Sequence, residues 1–398
     1  MKICFVSVLS SNRIISELHR NSGLNPGFAI QKFDRLFAKG LQDNGADVTV
    51  LSALPVNRQI SSKLFWLAPV EKEDNLVYHY LPFINIPILR QLCLVITSFF
   101  KVLLWTMFNP KQKAVICDVL NTSICMATVL ACKLSRTQVV GFVTDMPGMM
   151  VGTDALGKIS LISRLTTCFT KLYLASFDKY VFLTKAANDV INIYQRPYII
   201  MEGISDPEMA SFERNRRHSD VRTIMYAGGV YARYGLDTLV KAFIQLDSQT
   251  CKLVIYGSGA FVNELEEYYC AKYPNIKYMG VALTSDIIKA ELKADLLINP
   301  RPTKEDFTKY SFPSKNIEYM ASGTPLVTTK LPGMPEEYYD YVFLLEDETV
   351  EGYADTLRSV LRYTDEELFE YGAKAKQYIL NNKNVKIQGE RIIKLLAC

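Results

Sequence analysis

Short apolar runs alternate with helix-length segments along the chain, and this alternation limits the fold more than any other feature of the sequence. Ile3 to Leu9 is the first apolar run, Phe28 to Asn44 carries its apolar residues at helical spacing, and Val48 to Leu51 is the next run. Strands that are apolar throughout are typical of a parallel sheet covered by helices on both faces. The order strand, loop, helix, strand therefore predicts a doubly wound α/β sheet.

The alternation occurs twice, which predicts two domains of this kind. A polar and basic stretch, Glu213 to Arg222, separates the first series of runs from a second series that begins at Thr223. We predict two doubly wound, Rossmann-like domains that face each other across a cleft, over residues 1–212 and 220–385. Residues 386–398 are predicted to form a C-terminal helix that packs back toward the first domain.

The composition argues against several classes of site and partner. The chain has 398 residues, with 45 lysines and arginines against 41 acidic residues, and its formal net charge of +4 gives no sign of nucleic-acid binding. Its nine cysteines form no C-x-x-C pair and its three histidines are widely spaced, so no metal site is predicted. The cysteines are expected to be reduced, buried thiols of a cytoplasmic protein.

The first residues do not have the pattern of a secretory signal. The apolar run that starts at Ile3 is short, lacks a small-residue cleavage site and leads into polar residues from Ser10 to Arg13. A buried strand explains this run better. We therefore predict that the protein stays in the cytoplasm.

The segment 84–108 allows two interpretations. It is almost entirely apolar, but Arg90 and Lys101 leave too few uninterrupted apolar residues for the roughly 20 that a spanning helix needs. It is either a buried helix or a helix in a membrane interface, with Arg90, Lys101 and Trp105 at the level of the headgroups. A second stretch, Lys158 to Lys179, has the same mixed character. The membrane interpretation would associate the protein with the inner face of a membrane.

The most informative motif lies between Tyr310 and Pro325. A loop opens a helix there, and Gly323 is placed to end that helix before an apolar strand. The amino end of a helix carries free N–H groups and a partial positive charge, which favour a diphosphate, and Lys315 adds a cation. Glu318, three residues later on the same face, can accept hydrogen bonds from the two ribose hydroxyls. An amphipathic helix with a surface Lys–Glu pair is the simpler alternative.

This motif resembles the donor motif of glycosyltransferase family 4, whose members are retaining enzymes of the GT-B fold. The order and spacing of further segments agree with that family over the whole second domain, and two segments of the first domain are more loosely similar to polysaccharide-building members. The segments that carry the resemblance are Phe312-Pro313-Ser314-Lys315, Glu318-Tyr319-Met320-Ala321-Ser322-Gly323-Thr324-Pro325, Tyr226-Ala227-Gly228-Gly229-Val230, Arg233-Tyr234-Gly235-Leu236-Asp237, Ile255-Tyr256-Gly257-Ser258-Gly259, Ala294-Asp295-Leu296-Leu297-Ile298-Asn299-Pro300, Val143-Thr144-Asp145-Met146-Pro147 and Met201-Glu202-Gly203-Ile204.

The resemblance implies that the second domain binds the donor. Gly228 and Gly229 would let the backbone approach the donor diphosphate, and Arg233 would place a cation on its phosphates. Gly257 and Gly259 would shape the pocket for the nucleotide base. A solvated surface arginine and an ordinary tight turn are the simpler alternatives for Arg233 and for these last two glycines.

One position departs from the family's E-x7-E motif. Glu318 matches the second glutamate of the motif, but Tyr310 stands where the first is expected. In the family that first glutamate touches the donor sugar, so the identity of the sugar stays open, and Glu305 or Asp306 is a candidate to supply the carboxylate. Further donor contacts are expected from the motif's loop and helix start: Tyr310, Phe312 and Ser314.

Three residues of the first domain are predicted to serve the acceptor side and the reacting centre. Gly27 ends a glycine-containing loop that follows the first strand, Asp145 follows a buried strand, and Glu202 precedes the second domain. Doubly wound folds bind ligands at the carboxyl ends of their strands. Asp145 is predicted to be a hydrogen-bonding or basic group near the reacting centre, and a turn-capping role explains it equally well.

These observations predict a glycosyltransferase that moves a sugar from a nucleotide diphosphate sugar to a glycan or lipid-linked acceptor, with the retention of configuration that the resemblance implies. The predicted catalytic set is Arg233, Lys315, Glu318 and Asp145, and no metal or other cofactor is expected. The apolar helix points to assembly of capsule, exopolysaccharide or O-antigen near a membrane. A nucleotide-sugar epimerase of the same fold is one alternative. A non-catalytic nucleotide-sugar-binding subunit is another, because Tyr310 replaces the motif's first glutamate.

Overall fold

The chain divides into two compact units in the computed structural model. The model describes residues 1–146, 173–214, 220–247 and 249–397. One unit comprises Met1–Ile204 and Val385–Cys398, and the other comprises Ser205–Asn384. Most of the second apolar stretch, 158–179, lies outside the described residues, as does Pro147.

An eight-stranded sheet forms the centre of the first unit. Its strand order is β10-β9-β8-β7-β1-β2-β5-β4, and every pair is parallel except the edge pair of β4 and β5. A separate antiparallel pair is formed by β3 and β6. The strands are β1 (Lys2–Ser7), β2 (Asp47–Ser52), β3 (Phe65–Trp66), β4 (Glu71–Glu73), β5 (Leu76–Tyr80), β6 (Phe83–Ile84), β7 (Lys113–Asp118), β8 (Val139–Val143), β9 (Lys179–Phe182) and β10 (Tyr198–Ile200).

Helices cover this sheet, and one of them was not expected. Among its described residues, the first unit has the helices α1 (Asn12–Ser22), α2 (Phe28–Asp43), α3 (Pro87–Phe108), α4 (Thr122–Leu134), α5 (Lys185–Ile191) and, from the end of the chain, α12 (Val385–Ala397). The sequence predicted a loop where α1 lies. Ser11 caps this helix by accepting a hydrogen bond from the Ile14 amide, and Gly23 ends it with φ +69°. Its buried residues are Ile14, Ile15 and Leu18.

The second unit contains a six-stranded parallel sheet in the order β13-β12-β11-β14-β15-β16. Apolar clusters pack on both faces of the sheet, as expected for a doubly wound fold. The strands are β11 (Arg222–Gly229), β12 (Cys251–Ser258), β13 (Ile276–Tyr278), β14 (Leu296–Asn299), β15 (Leu326–Thr329) and β16 (Phe343–Leu345). The α-helices are α6 (Leu236–Phe243), α7 (Val262–Glu264), α8 (Thr284–Lys293), α9 (Ser314–Ser322), α10 (Val350–Leu361) and α11 (Asp365–Asn382). Short 3-10 helices span Pro207–Ala210, Ala232–Tyr234, Asp306–Lys309 and Glu336–Tyr341, and a π-helix spans Leu265–Cys270.

The boundary between the units lies earlier than the polar stretch that the sequence suggested. The first unit ends at Ile204 rather than at residue 212. The Ser205 amide donates a hydrogen bond of 2.8 Å to the Lys383 carbonyl, and Met209 packs in an apolar cluster of the second unit. The residues just after Ile204 therefore belong to the second unit.

The C-terminal helix α12 belongs to the first unit and packs on α2. A Cβ atom on Gly389 would lie 2.0 Å from the Gly40 carbonyl oxygen, so the two helix backbones are in direct contact. The buried Lys179 ammonium donates a hydrogen bond of 2.8 Å to the Leu395 carbonyl, and the Arg391 guanidinium donates one of 2.7 Å to the Ile200 carbonyl. The first unit is thus closed by a segment distant in sequence.

Helix α3 is long and apolar enough to cross a membrane, by length and composition only, and only 22% of its most apolar 18 residues are buried. Its buried residues are Leu94, Ser98, Val102 and Thr106, which form one narrow stripe at four-residue spacing. The interpretation of this segment as a buried helix is therefore wrong. The exposed large apolar side chains of α3 are Ile88, Leu89, Leu92, Val95, Ile96, Phe100, Leu104, Met107 and Phe108.

Candidate functional site

A concave site lies at the carboxyl edge of the second sheet, where β11 and β14 are neighbours. The chain runs from β11 to β12 and β13 on one side and returns to β14, β15 and β16 on the other. Ligands of open α/β sheets bind at such a switch point. The residues that line the concavity come from three places. The end of β11 and the turn after it contribute Tyr226, Ala227, Gly228, Gly229 and Tyr234. The end of β14 contributes Asn299 and Arg301, and the start of α9 contributes Pro313, Ser314, Lys315 and Tyr319.

The amino end of α9 opens into this concavity. Pro313 is the N-cap residue, and no side chain caps the helix by a hydrogen bond. The first amides of the helix, those of Ser314 and Lys315, therefore present N–H groups and the positive end of the helix dipole at the site. Gly323 ends the helix with φ +81°, as the motif predicts. The arrangement suits an anion such as a phosphate.

Two buried hydrogen-bonded contacts fix α9 against the strands. The Asn299 side-chain amide donates a hydrogen bond of 2.6 Å to the Asn316 side-chain oxygen, which ties β14 to the first turn of the helix. The Tyr319 hydroxyl accepts from the Ala227 amide at 2.7 Å and donates to the Ala227 carbonyl at 3.0 Å. Burial raises the pKa of this hydroxyl well above its usual value. Tyr319 thus holds the helix start in place beside the end of β11.

Gly228 and Gly229 line the site, where a larger residue would have little room. A Cβ atom on Gly228 would lie 2.7 Å from the Tyr226 hydroxyl, and one on Gly229 would lie 3.0 Å from the Tyr234 ring. Both glycines line the concavity, and the predicted approach of the donor diphosphate to their backbone stays a prediction.

Close packing against the backbone of β11 and of the residue that follows it explains why glycine stands at positions 257 and 259. A Cβ atom on Gly257 would lie 1.7 Å from the Gly228 carbonyl oxygen, and one on Gly259 would lie 2.1 Å from the Val230 carbonyl oxygen. These glycines therefore let β12 and the turn after it approach the end of β11. Neither residue is part of the lining of the concavity, and their predicted role in a base pocket stays a prediction.

Lys315 and Glu318 form an ion pair beside the site. The Lys315 ammonium lies 2.7 Å from a Glu318 carboxylate oxygen, and both side chains are partly exposed. Lys315 lines the concavity, whereas Glu318 does not. Glu318 is thus placed to orient the lysine, and its predicted contact with ribose hydroxyls stays a prediction.

The predicted phosphate-binding arginine, Arg233, is exposed and lies outside the lining of the concavity. Its guanidinium carbon lies 5.0 Å from the Phe307 ring centroid. Arg301, which the sequence reasoning missed, is the arginine that lines the site. The available signal was its position two residues after the apolar run that became β14, at the carboxyl edge of the sheet.

The loop before α9 contributes less to the concavity than the sequence suggested. Phe312 is buried, and its ring centroid lies 5.3 Å from that of Tyr338, so this side chain packs in the core. Tyr310 is partly exposed at the end of a 3-10 helix and does not line the site. Asp306, a candidate carboxylate, is largely exposed and pairs with Lys309 at 3.1 Å. Ser314 is the predicted donor residue of this segment that does line the concavity.

The acceptor-side candidates belong to the first unit, whereas the concavity belongs to the second. Gly27 caps α2 with φ +88°, a conformation that favours glycine. The Asp145 carboxylate accepts a hydrogen bond of 2.8 Å from the Met146 amide, as a turn-capping residue does. Glu202 is buried. The roles of all three at an acceptor stay predictions.

The concavity itself is small, with a volume of about 90 Å³. Pockets that enclose a drug-sized ligand measure roughly 300–1,000 Å³. The site therefore has room for a phosphate-sized group and not for a whole nucleotide sugar. Among the described residues, no group of three or more His, Cys, Asp or Glu side chains could hold a metal ion.

Comparison with protein families identifies the segment that contains this site. Residues 221–363 match the family model for glycosyl transferases group 1. That segment includes the whole lining of the concavity. No curated protein matches the chain by sequence.

Several solved structures share the fold over the full length of the chain. An α,α-trehalose-phosphate synthase (UDP-forming) from Burkholderia xenovorans has a TM-score of 0.69 at 12% identity, and the alignment covers 100% of both chains. Sucrose-phosphate synthase from Thermosynechococcus elongatus has a TM-score of 0.66 at 13% identity over 100% of this chain and 99% of that one. The Anabaena protein HepE, in complex with UDP, has a TM-score of 0.63 at 13% identity over 100% of both chains. These similarities confirm the predicted fold of two doubly wound, Rossmann-like domains.

Proposed function

We propose that this chain, whose residues 221–363 match the family model for glycosyl transferases group 1, is a GT-B glycosyltransferase that moves a sugar from a nucleotide diphosphate sugar to a glycan or lipid-linked acceptor with retention of configuration. The observation that carries the proposal is the open amino end of α9 at the switch point between β11 and β14, with Lys315 beside it. This arrangement binds the phosphates of the donor.

Electrostatic stabilisation of the leaving group is the main catalytic contribution that we propose for the second unit. Transfer breaks the bond between the anomeric carbon and a phosphate oxygen, and negative charge develops on that oxygen. The α9 amides, Lys315 and an arginine beside the concavity, either Arg233 or Arg301, lower the energy of that charge because they are held in position before the reaction. Glu318 keeps the Lys315 ammonium oriented, at 2.7 Å, and contacts the ribose. The reaction uses no metal in this proposal.

The remaining groups of the proposal come from the first unit. Asp145 hydrogen-bonds near the reacting centre, and Gly27 and Glu202 lie on the acceptor side. Support for Asp145 is its position after β8, because doubly wound folds bind ligands at the carboxyl ends of their strands. Gly27 does not directly follow a strand, because α1 lies between β1 and this N-cap residue of α2.

A thermal-shift screen of the purified chain tests the donor site. The panel contains UDP, ADP, GDP and the corresponding sugar nucleotides. A ligand that binds only the folded state stabilises it by about 2.7 kcal/mol at 100 times its Kd, so selective stabilisation by one nucleotide family is expected. The absence of stabilisation by every member of the panel would contradict the proposed donor site.

Turnover of the stabilising donor separates the proposed transferase from its alternatives. A transferase releases nucleoside diphosphate in the presence of an acceptor. An epimerase changes the sugar without releasing the nucleotide, and a non-catalytic subunit binds the donor without turnover. Tyr310, in place of the motif's first glutamate, is the observation that keeps the non-catalytic alternative under test.

We further propose that the protein works in the cytoplasm at the inner face of a membrane, on a lipid-linked acceptor of capsule, exopolysaccharide or O-antigen assembly. Helix α3 supports this proposal because most of its surface is apolar and exposed. Helix α4 packs beside it and exposes Met126, Leu130 and Leu134. An exposed apolar surface of this extent is typical of a protein or membrane interface.

Co-sedimentation with phosphatidylglycerol-containing vesicles tests the membrane proposal. Substitution of Ile96 and Phe100 by Gln removes two exposed apolar side chains from α3, each expected to contribute about 1.5–3 kcal/mol when buried in lipid. We expect at least about a tenfold loss of vesicle binding. The matched control replaces Val281 and Leu283, which belong to the second unit and are more exposed than Ile96 and Phe100, by Gln. Equal binding by both double variants would contradict a role of α3.

A further inference from the structure

Two arginines lie beside the same pair of aromatic rings at the edge of the concavity. The Arg301 guanidinium carbon lies 5.1 Å from the Tyr234 ring centroid and 5.4 Å from that of Phe307. The corresponding distances of Arg233 are 5.6 Å and 5.0 Å. Such cation–π contacts orient a guanidinium without consuming its N–H donors. Both arginines are thus held by the rings, but only Arg301 lines the concavity.

The backbone around Arg301 is fixed by hydrogen bonds from buried or partly buried groups. The Tyr353 hydroxyl donates to the carbonyl before Arg301 at 2.8 Å, and the Thr329 hydroxyl donates to the Arg301 carbonyl at 2.5 Å. The Thr303 amide donates to both carboxylate oxygens of Glu348 at 3.1 Å. Arg301 therefore stands on a rigid loop directly after β14, whereas Arg233 lies on an exposed 3-10 helix.

The cations of the concavity come from different elements. Lys315 is in the first turn of α9, and Arg301 follows the adjacent strand β14. A phosphate at the amino end of α9 would meet the helix amides, the lysine and the arginine together. A guanidinium can give two parallel N–H donors to a phosphate, which an ammonium cannot.

We propose that Arg301, and not Arg233, is the arginine that binds the phosphates of the nucleotide diphosphate and stabilises the departing phosphate. This inference rests on the proposed function. Arg233 acts only through Tyr234 and Phe307, as a positioning residue for the rings that hold Arg301. The phosphate-binding cation that we propose therefore lies on the loop after β14, whereas the sequence analysis expected it in the turn after β11.

Calorimetric titration of the full-length chain with UDP, and with uridine as a probe without phosphate, tests the inference. ADP or GDP and the matching nucleoside take their place if the wild type binds one of those diphosphates instead. Arg301→Gln is expected to weaken UDP binding by about tenfold or more, which corresponds to about 1.4 kcal/mol. The same variant should leave any uridine binding unchanged, because the lost contact is to phosphate. Arg301→Lys, which keeps the charge and the ring contact but not the fork of donors, is expected to fall between Arg301→Gln and the wild type.

Two comparison variants make the result specific. Arg233→Gln is expected to weaken UDP binding by less than about threefold, well below one factor of ten. Lys289→Gln removes an exposed cation of α8 and controls for the overall change in charge. The thermal unfolding midpoint of each variant without ligand shows whether the variant is folded. If Arg301→Gln is unfolded, Arg301→Lys replaces it as the test variant.

Each outcome decides between the claims. The inference would be overturned if Arg301→Gln bound UDP as tightly as the wild type does. If Arg301→Gln is unfolded, the same result with Arg301→Lys would overturn it. A larger loss of UDP affinity in Arg233→Gln than in the Arg301 variant would overturn it as well. The proposed donor site stands in both of these cases, because the wild type still binds UDP. A wild type that binds none of UDP, ADP and GDP removes the proposed function, and the inference falls with it.

Discussion

At the residue scale, Asp34 is an unusual feature of the first unit. This aspartate of α2 is fully buried, and among the described residues neither of its carboxylate oxygens makes a hydrogen bond of ordinary geometry. Burial raises its pKa well above the usual value, and the nearby Asp118 carboxylate raises it further, against a partial opposing effect of the Ser7 hydroxyl. Burial also raises the pKa of Asp118 to about 6. Asp34 therefore favours its protonated state in the folded chain.

The raised pKa values predict that the first unit loses stability as the pH rises. A carboxyl whose folded pKa exceeds its unfolded value, about 3.9 for aspartate, stabilises the fold fully below that unfolded value and loses this contribution as the pH rises through the folded pKa. Asp34→Asn keeps the shape and removes the titration. We expect it to raise the free energy of unfolding at pH 8 by about 1–3 kcal/mol, with a smaller gain at pH 5.

Urea denaturation at both pH values measures this effect. Asp43→Asn is the matched control, because Asp43 is an exposed aspartate at the end of the same helix. A lower unfolding free energy for Asp34→Asn than for the wild type at pH 8 would show that the buried carboxylate is charged and stabilised, contrary to the expectation.

The same scale shows how far a motif predicts a site. Gly228, Gly229, Ser314 and Lys315 line the concavity as the sequence predicted. Their positions follow from local rules, because a glycine pair ends a strand and a helix start carries free amides. Arg301 was missed because its place depends on which strand lies beside β11, and strand order is not encoded by local spacing.

At the element scale, the end of β11 depends on the glycines of β12. Gly257 has φ +131°, and a Cβ atom there would lie 1.7 Å from the Gly228 carbonyl oxygen. Because the clash is with backbone, it can be relieved only by separating the two strands. The edge of the sheet that lines the concavity and the packing of the sheet are thus linked through this one contact.

Gly257→Ala is expected to destabilise the second unit by about 2–5 kcal/mol, from backbone strain and the forced separation of β11 and β12. The control is Gly280→Ala, because Gly280 also has a positive φ, +69°, but has no atom within 4 Å of an added Cβ. That control should cost only about 1–2 kcal/mol of backbone strain. Guanidinium denaturation followed by circular dichroism measures both, and equal costs would contradict the clash.

Element types were more predictable than their number. The first apolar run, the following helix and the next run lie at Lys2–Ser7, Phe28–Asp43 and Asp47–Ser52, within one residue of their predicted bounds except at the end of the first run, which differs by two. Helix α1 was missed because its segment is mostly polar and buries only three apolar residues. Its local signals are a serine cap, a glycine end and three apolar residues on one face, and they are confined to a short segment.

At the scale of the whole molecule, the second unit is one continuous segment and the first unit is not. All residues that line the concavity lie within Ser205–Asn384. The first unit needs Val385–Cys398, because α12 packs on α2 and accepts the buried Lys179 ammonium. A fragment made of one continuous segment can therefore contain the whole second unit but not the whole first unit.

A fragment of residues 205–384 is expected to fold cooperatively and to retain the thermal shift with the diphosphate that stabilises the full chain. A fragment of residues 1–204 is expected to be unstable, since it exposes the face of α2 that α12 covers and leaves Lys179 buried without its carbonyl partners. Circular dichroism melting and limited proteolysis measure both. Cooperative melting of 1–204 near the full-length midpoint would contradict the role of α12.

A repaired fragment provides the control. Ser205 and Asn384 are partners in a parallel β-bridge, so the chain leaves and re-enters the first unit at neighbouring points. A linker of about four residues can therefore join Ile204 to Val385. This joined chain is expected to recover the melting transition that 1–204 lacks.

The sequence by itself determined the kind of fold and the helix start that opens into the concavity. Buried parallel strands must be apolar on both faces, and a helix start must offer its amides, so both leave local signatures in the chain. The tertiary structure alone decided which distant residues meet. The neighbouring positions of β11 and β14 bring Arg301 to the concavity, α12 closes the first unit, and the surroundings of α3 leave its apolar surface exposed. Such contacts follow from strand order and packing, which spacing along the chain does not specify.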